Sequence, residues 1–200
     1  MFERITKNIN QFDNTMRVAH EKYKKAQEEL PKSYRGELLK EKLEQATKEF
    51  NNIKTNEIED FKKIVNEEIE KYFNEVNDII TKPVESDFLS TLEALKLGKN
   101  DISNYEAEAY LNKYKNNYTS CKAILSLLHS VNKGNDLAIV NAEAIKQELS
   151  DLKESLMQFA YNYNIDSLAT SFYLDEKTSP VAISIQKIEP FFNQDYFMFN

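Results

Sequence analysis

The chain has 200 residues, 41% of them hydrophobic and 30% charged, with a formal net charge of −7. Three glycines and four prolines are too few for a β-sandwich or for an α/β sheet with many tight turns. Gly36, Gly98 and Gly134 also stand too far apart for a phosphate or dinucleotide loop, and the acidic balance speaks against a nucleic-acid-binding face.

The first predicted element is a helix from near Arg4 to Leu30. Ile5, Ile9, Phe12, Met16, Ala19, Tyr23, Ala26 and Leu30 alternate steps of four and three, the a/d seam of a heptad repeat. So narrow a stripe must be buried against another long helix. Pro31-Lys32-Ser33 reads as the connector, with Ser33 as the N-cap of the next helix. From about Tyr34 to Ile80 this second helix carries Leu39, Leu43, Ala46, Phe50 and Ile53, then Ile58, Phe61, Val65, Ile69, Tyr72, Val76 and Ile79. The phase slips between Ile53 and Ile58. Either Asn56 caps a new helix or one continuous helix carries a stutter, and the continuous helix is the expectation. At 1.5 Å per residue the two helices span roughly 40 and 70 Å. A hairpin is then expected to leave the stripe from Phe61 to Ile80 uncovered, to pack on the C-terminal half or on another copy.

Pro83 marks a boundary. Beyond it Ser86 is the predicted cap of a short helix through Phe88, Leu92 and Leu95, with Gly98 as its C′ residue. Ser103-Asn104-Tyr105-Glu106 is a capping-box sequence. Asn116-Asn117 interrupts the chain before a third short helix over Ala123–Val131, ended by Gly134. Asn135 or Asp136 is expected to cap another long helix, in which Ile145, Leu149, Leu152, Leu156, Phe159 and Tyr163 step by four and three. Residues 165–174 allow a further helical turn or two. After Ser179-Pro180, the alternation Val181, Ile183, Ile185 predicts a short extended segment, with Pro190 beyond it. The last ten residues hold five aromatics. Such a tail either folds back to close a core or docks its aromatics into a partner.

The expected fold is therefore mainly all-α: a long-helix coiled-coil hairpin over 1–82, a small three-helix bundle over 83–134, a long helix packing back over 135–178, and an extended aromatic tail over 179–200.

No catalytic constellation stands out. Cys121 sits in an apolar helical context and reads as a small core residue. His129 lies about 12 Å further along a helix, too far to pair with it. His20 and His129 lack the spacing of metal ligands, and His20 flanks the first seam. The paired carboxylates Glu28-Glu29, Glu67-Glu68 and Asp175-Glu176 read as solvated helix faces. The tyrosines around 105–118 and 161–163 read as the amphipathic rim of a core rather than a base-stacking platform. No secretory signal or membrane span is apparent, so a cytoplasmic chain without cofactor or metal is expected.

Ile80-Thr81-Lys82-Pro83, Leu92-Glu93-Ala94-Leu95-Lys96, Ile102-Ser103, the run Leu111-Asn112-Lys113-Tyr114-Lys115-Asn116-Asn117-Tyr118, and Cys121-Lys122-Ala123-Ile124-Leu125 together resemble a family of small helical proteins. These are encoded by phages and prophages of Gram-positive bacteria, with a charged coiled-coil N-terminal half and a proline boundary. The resemblance implies a scaffolding-like role in virion assembly near the capsid, in the host cytoplasm or with the virion, and no enzyme. The chain runs on past Gly134, where that family usually ends, and its tail is aromatic where a scaffold end is often basic.

The function expected is protein–protein contact, with a second copy in a homo-oligomer or with a capsid-type protein, and without nucleic acid or membrane. The contact residues are Phe61, Val65, Ile69 and Tyr72 on the long helix, and Phe191, Phe192, Tyr196, Phe197 and Phe199 in the tail. The alternative is an acidic inhibitor occupying the basic groove of a host defence or nucleic-acid enzyme.

Overall fold

A computed structural model describes residues 3–134, 137–165, 179–193 and 196–199, without the side chains of Leu137 and 197–199. In chain order the elements are α1 (Glu3–Ser33), α2 (Gly36–Thr81), α3 (Phe88–Gly98), α4 (Asn104–Lys113), α5 (Tyr118–His129), β1 (Leu137–Ile139), α6 (Ala142–Tyr161), α7 (Pro180–Phe192) and β2 (Phe197–Phe199). The fold is mainly all-α. The chain divides into two units: 1–70 with 151–183, and 71–150 with 184–200.

In the first unit α1 and α2 form an antiparallel pair. Their register is fixed by Arg4, which bonds Glu68 at 2.7 Å and Glu67 at 3.1 Å, by the Phe12–Phe61 ring contact at 5.0 Å, and by Tyr23 stacked on Phe50 at 5.0 Å. The stripe opposite α1 therefore reaches Glu68, and only the residues beyond it extend past the hairpin. The expectation that the whole run from Phe61 is left uncovered is corrected: α1 runs on to Ser33 and α2 starts at Gly36, so the start of α1 at Arg4 lies opposite Glu67 and Glu68.

The connector is shorter than predicted. Pro31 lies inside α1 and Ser33 closes that helix rather than capping the next. A proline this near a helix end forfeits a single backbone bond, and carbonyls of the last turn, which the helix end leaves open, find donors: Tyr34 N–H reaches Leu30 O at 2.9 Å, and the Arg35 guanidinium bonds the Pro31 carbonyl. Gly36, at φ +61°, supplies the left-handed residue that turns the chain. Helix α2 is then unbroken over 46 residues, so the phase slip at Ile53–Ile58 is absorbed without a cap.

The end of α6 and the residues just beyond it add a third layer to this unit. Phe159 of α6 meets Phe12 at 5.7 Å and Phe61 at 5.9 Å, and Tyr163 meets Phe12 edge-on at 5.2 Å. Tyr163 Oη donates to Asp13 Oδ1 at 2.6 Å, while Asp13 Oδ2 accepts from Arg17 at 2.8 Å.

In the second unit α3, α4 and α5 close a core around Phe88, Leu95, Leu111, Tyr114, Ile124 and Leu128. The Ser103–Glu106 capping box forms as predicted, each side chain bonding the other's backbone N–H. Asn117 caps α5 through Ser120 N–H, and its amide donates to Pro83 O at 2.8 Å, tying the proline boundary to the bundle. Other boundaries differ from expectation. Asp87 rather than Ser86 precedes α3, and Gly98 is the last helical residue. Residues 135–136 and 166–178 lie outside the described residues. The helix expected to start at 135 or 136 begins at Ala142, after β1, with Asn141 Oδ1 accepting from Glu143 N–H at 3.0 Å.

The C-terminal segment is the largest correction. Residues 180–192, predicted as extended, form α7. Ser179 Oγ accepts from Ala182 N–H at 3.0 Å and caps it. Val181, Ser184, Ile188 and Phe191 are buried, a three–four–three spacing that belongs to a helix. Alternation over five residues could not distinguish this from a strand. Pro190 sits in the last turn of α7, where its missing donor disturbs little. The strand-like part of the tail is β2, antiparallel to β1 with Ala138 opposite Met198.

Candidate interaction surface

The predicted contact residues are mostly enclosed by their own chain. Phe61, Val65, Ile69 and Tyr72 are buried. In the first unit Phe61 lies among Phe12 and Phe159, and in the second Tyr72 meets Phe192 edge-on at 5.5 Å. Phe191 and Tyr196 are buried, each ring 5.4 Å from that of Tyr118. Phe192 is half-buried. Phe197 and Phe199 belong to β2, and their side chains lie outside the described residues. Of the two roles open to the aromatic tail, closing a core is the one taken by Phe191 and Tyr196.

Tyr118 organises this end. Its hydroxyl donates to Val140 O at 3.1 Å and accepts from Ala142 N–H at 3.2 Å, while Val140 N–H donates to Tyr196 O at 2.8 Å. Glu148 adds a polar clip: it accepts from Ser184 Oγ at 2.7 Å and pairs with Lys187 at 3.1 Å. These contacts attach the C-terminal segment to the second unit through groups scattered along the sequence.

Surface remains available elsewhere on the same heptad seam. From Ile5 to Ala19 the seam residues of α1 are buried, as are Phe61, Val65 and Ile69 of α2. From Tyr23 to Leu30, and from Leu39 to Ile58, every seam residue is half-buried. Packing differs along the pair for a simple reason. Near Phe12 and Phe61, Phe159 and Tyr163 cover the seam. In the distal stretch two helices meet each other, with contacts such as Tyr23 Oη to Thr47 Oγ1 at 3.3 Å and Lys22 to Glu49 at 3.7 Å. His20 flanks this seam as predicted, 6.1 Å from Phe50.

A second feature was not anticipated. Between α1 and α2 lies a groove of about 320 Å³, walled by Arg4, Asn8 and Gln11 on one side and Glu57, Asp60 and Lys63 on the other. Burial, and then the Asp60 carboxylate, raises the pKa of Glu57 above the usual carboxylate range. The acidic pair is legible as a helix face in the sequence. The burial of Asn8, one residue before a seam position, is not, because it depends on what packs against that flank.

Cys121 is fully buried, and desolvation pushes its thiol up to about 12; a thiol so disfavoured as thiolate is a poor nucleophile. His129 bonds the Gly134 carbonyl at 2.9 Å. Among the described residues no group of three or more His, Cys, Asp or Glu is placed to hold a metal ion, and no helix is long and apolar enough to cross a membrane. Compared with known proteins, the chain matches no family model, no curated protein and no solved structure.

Proposed function

We propose that the protein works by protein–protein contact, as a structural or assembly component of the phage or prophage kind that its sequence resembles, with the distal two-helix arm as the contact surface. One observation carries this reading. The heptad seam continues into Tyr23–Leu30 and Leu39–Ile53, and resumes after the phase slip at Ile58, yet its side chains there are half-covered. Apolar seam left partly in water is stabilised by further burial, at roughly 25 cal/mol per Å², so another helix or helix pair laid along the arm completes a bundle. Charge is compatible with this. Residues 20–56 hold nine Lys or Arg against seven Asp or Glu, so the arm is close to neutral and does not repel a second copy as the acidic remainder does.

The test is the mass of the full chain in solution, by light scattering over a range of concentrations. An oligomer is expected, one that dissociates when half-buried seam leucines of the arm such as Leu43 are replaced by glutamate. A monomer at every concentration overturns the self-assembly form of the reading.

The same charge count favours a second reading. The acidic surplus lies outside the arm, where it suits an inhibitor seated in a basic groove of a host enzyme. Partner binding that weakens steeply with salt would favour that reading over apolar docking.

A further inference from the structure

A buried donor without a partner and two carboxylates outside the ion pairs line one groove between α1 and α2. Asn8 is 8% exposed, and its amide nitrogen is buried with no hydrogen-bond partner. A buried donor left without an acceptor is destabilising. Across the groove stand Glu57 and Asp60. The ion pairs of this face use Arg4 with Glu67 and Glu68, and Lys62 with Glu59. Glu57 and Asp60 take part in none of the ion pairs among the described residues; Glu57 is half-buried and Asp60 exposed, and the partial burial of Glu57, with the Asp60 charge beside it, raises the pKa of Glu57. Arg4, held by two other carboxylates, does not supply the missing cation. Lys63 also lines the groove, so the groups outside ion pairs sum to an acidic site. Too few metal-ligating side chains converge among the described residues for a metal ion to be its ligand.

A ligand that matches both the carboxylates and the donor carries a cation at one end and a hydrogen-bond acceptor near it. A basic residue within a peptide has that combination, a charged side chain and a backbone carbonyl. We propose that this groove binds an arginine or lysine residue of another protein's segment, its cation on Glu57 and Asp60 and its peptide carbonyl accepting from Asn8 Nδ2. Arginine suits the site better, because its planar fork can serve two carboxylates at once. Asn8 lines the groove with its nitrogen buried, and its terminal torsion is broad enough to turn toward an entering acceptor. A groove of about 320 Å³ is large enough for one such residue. Binding in this groove is independent of the arm: a chain that is monomeric in solution holds the segment equally well.

The experiment is an NMR titration of the full chain with three probes: N-acetyl-L-arginine amide, its neutral isostere N-acetyl-L-citrulline amide, and ethylguanidinium chloride, which has the cation but no carbonyl. The arginine amide is expected to give saturable shifts at Asn8, Glu57 and Asp60. Citrulline amide is expected to give none, and ethylguanidinium to bind more weakly. Glu57→Gln with Asp60→Asn should weaken the arginine amide at least about tenfold. Asn8→Leu should reduce it to the level of ethylguanidinium while leaving the melting temperature unchanged or higher, and Asn8→Ala serves if leucine is too large. Absence of saturable shifts overturns the proposal, as does equal binding of arginine and citrulline amides. Unaltered binding in the Asn8 variants would reduce Asn8 to a merely buried polar group and also overturn it.

Discussion

Single side chains carry much of the organisation. Phe12 is 2% exposed and meets Phe61, Phe159 and Tyr163, three rings from distant parts of the chain. Replacing it with alanine leaves a cavity that three rings cannot collapse into, and a loss of about 3–5 kcal/mol is expected in denaturant unfolding. Cys121 makes a prediction about pH. Its thiol rises from an ordinary 9.0 to about 12 in the folded chain, so the folded state holds the proton more tightly than the unfolded one. The associated stability is fully present below about pH 9 and is lost as pH climbs toward 12. Burial also raises Tyr196, which adds to the loss in the same direction. The melting temperature should therefore be flat up to about pH 9 and fall above it, and Cys121→Ala should delay the onset of that fall. A Cys121→Ala profile identical to that of the parent would show that the thiol does not carry the effect.

At the scale of elements, the two-sided capping box was legible while single cap residues were not: Ser33 closes α1, Asp87 rather than Ser86 precedes α3, and Gly98 lies inside it. The Ser103–Glu106 box is a four-residue pattern whose partners are its own neighbours, and Ser103→Ala should lower stability by about 1 kcal/mol. Signals that needed a distant partner misled. The alternation at Val181, Ile183 and Ile185 suits a strand over five residues, but burial over a longer span follows Val181, Ser184, Ile188 and Phe191, with Ser184 and Lys187 both drawn to Glu148. This element also recasts the role of the C-terminus. A chain ending at Lys187 loses the last turn of α7, with Phe191, and Tyr196 as well. Since both rings pack on Tyr118, the second unit is expected to lose its cooperative thermal transition. If the truncated chain still melted like the full one, the tail would not be core.

For the molecule as a whole, the division into two units and the uneven cover of the seam make a prediction about local stability. Amides from Glu21 to Ile53 are held by two helices and half-buried side chains, so they should exchange hydrogen faster than those around Phe12 or Phe61, where a third layer is added. Native-state exchange with fragment analysis reads this directly, and uniform protection along α1 and α2 would contradict it. Further burial on the arm by a partner should slow the same amides.

Sequence by itself determined that the chain is mainly helical, that α1 and α2 are long and carry a heptad seam, and that short capped helices lie beyond Pro83. These are properties of spacing and of neighbouring residues, and they act within a few residues along the chain. Only the tertiary structure decided which stretch of the seam is buried, that the aromatic end closes a core, and that Asn8 and Glu57 face one groove. Those outcomes rest on contacts such as Tyr163 Oη on Asp13, 150 positions away in sequence. An a/d pattern states that a surface must be covered; it carries no information about which distant element does the covering.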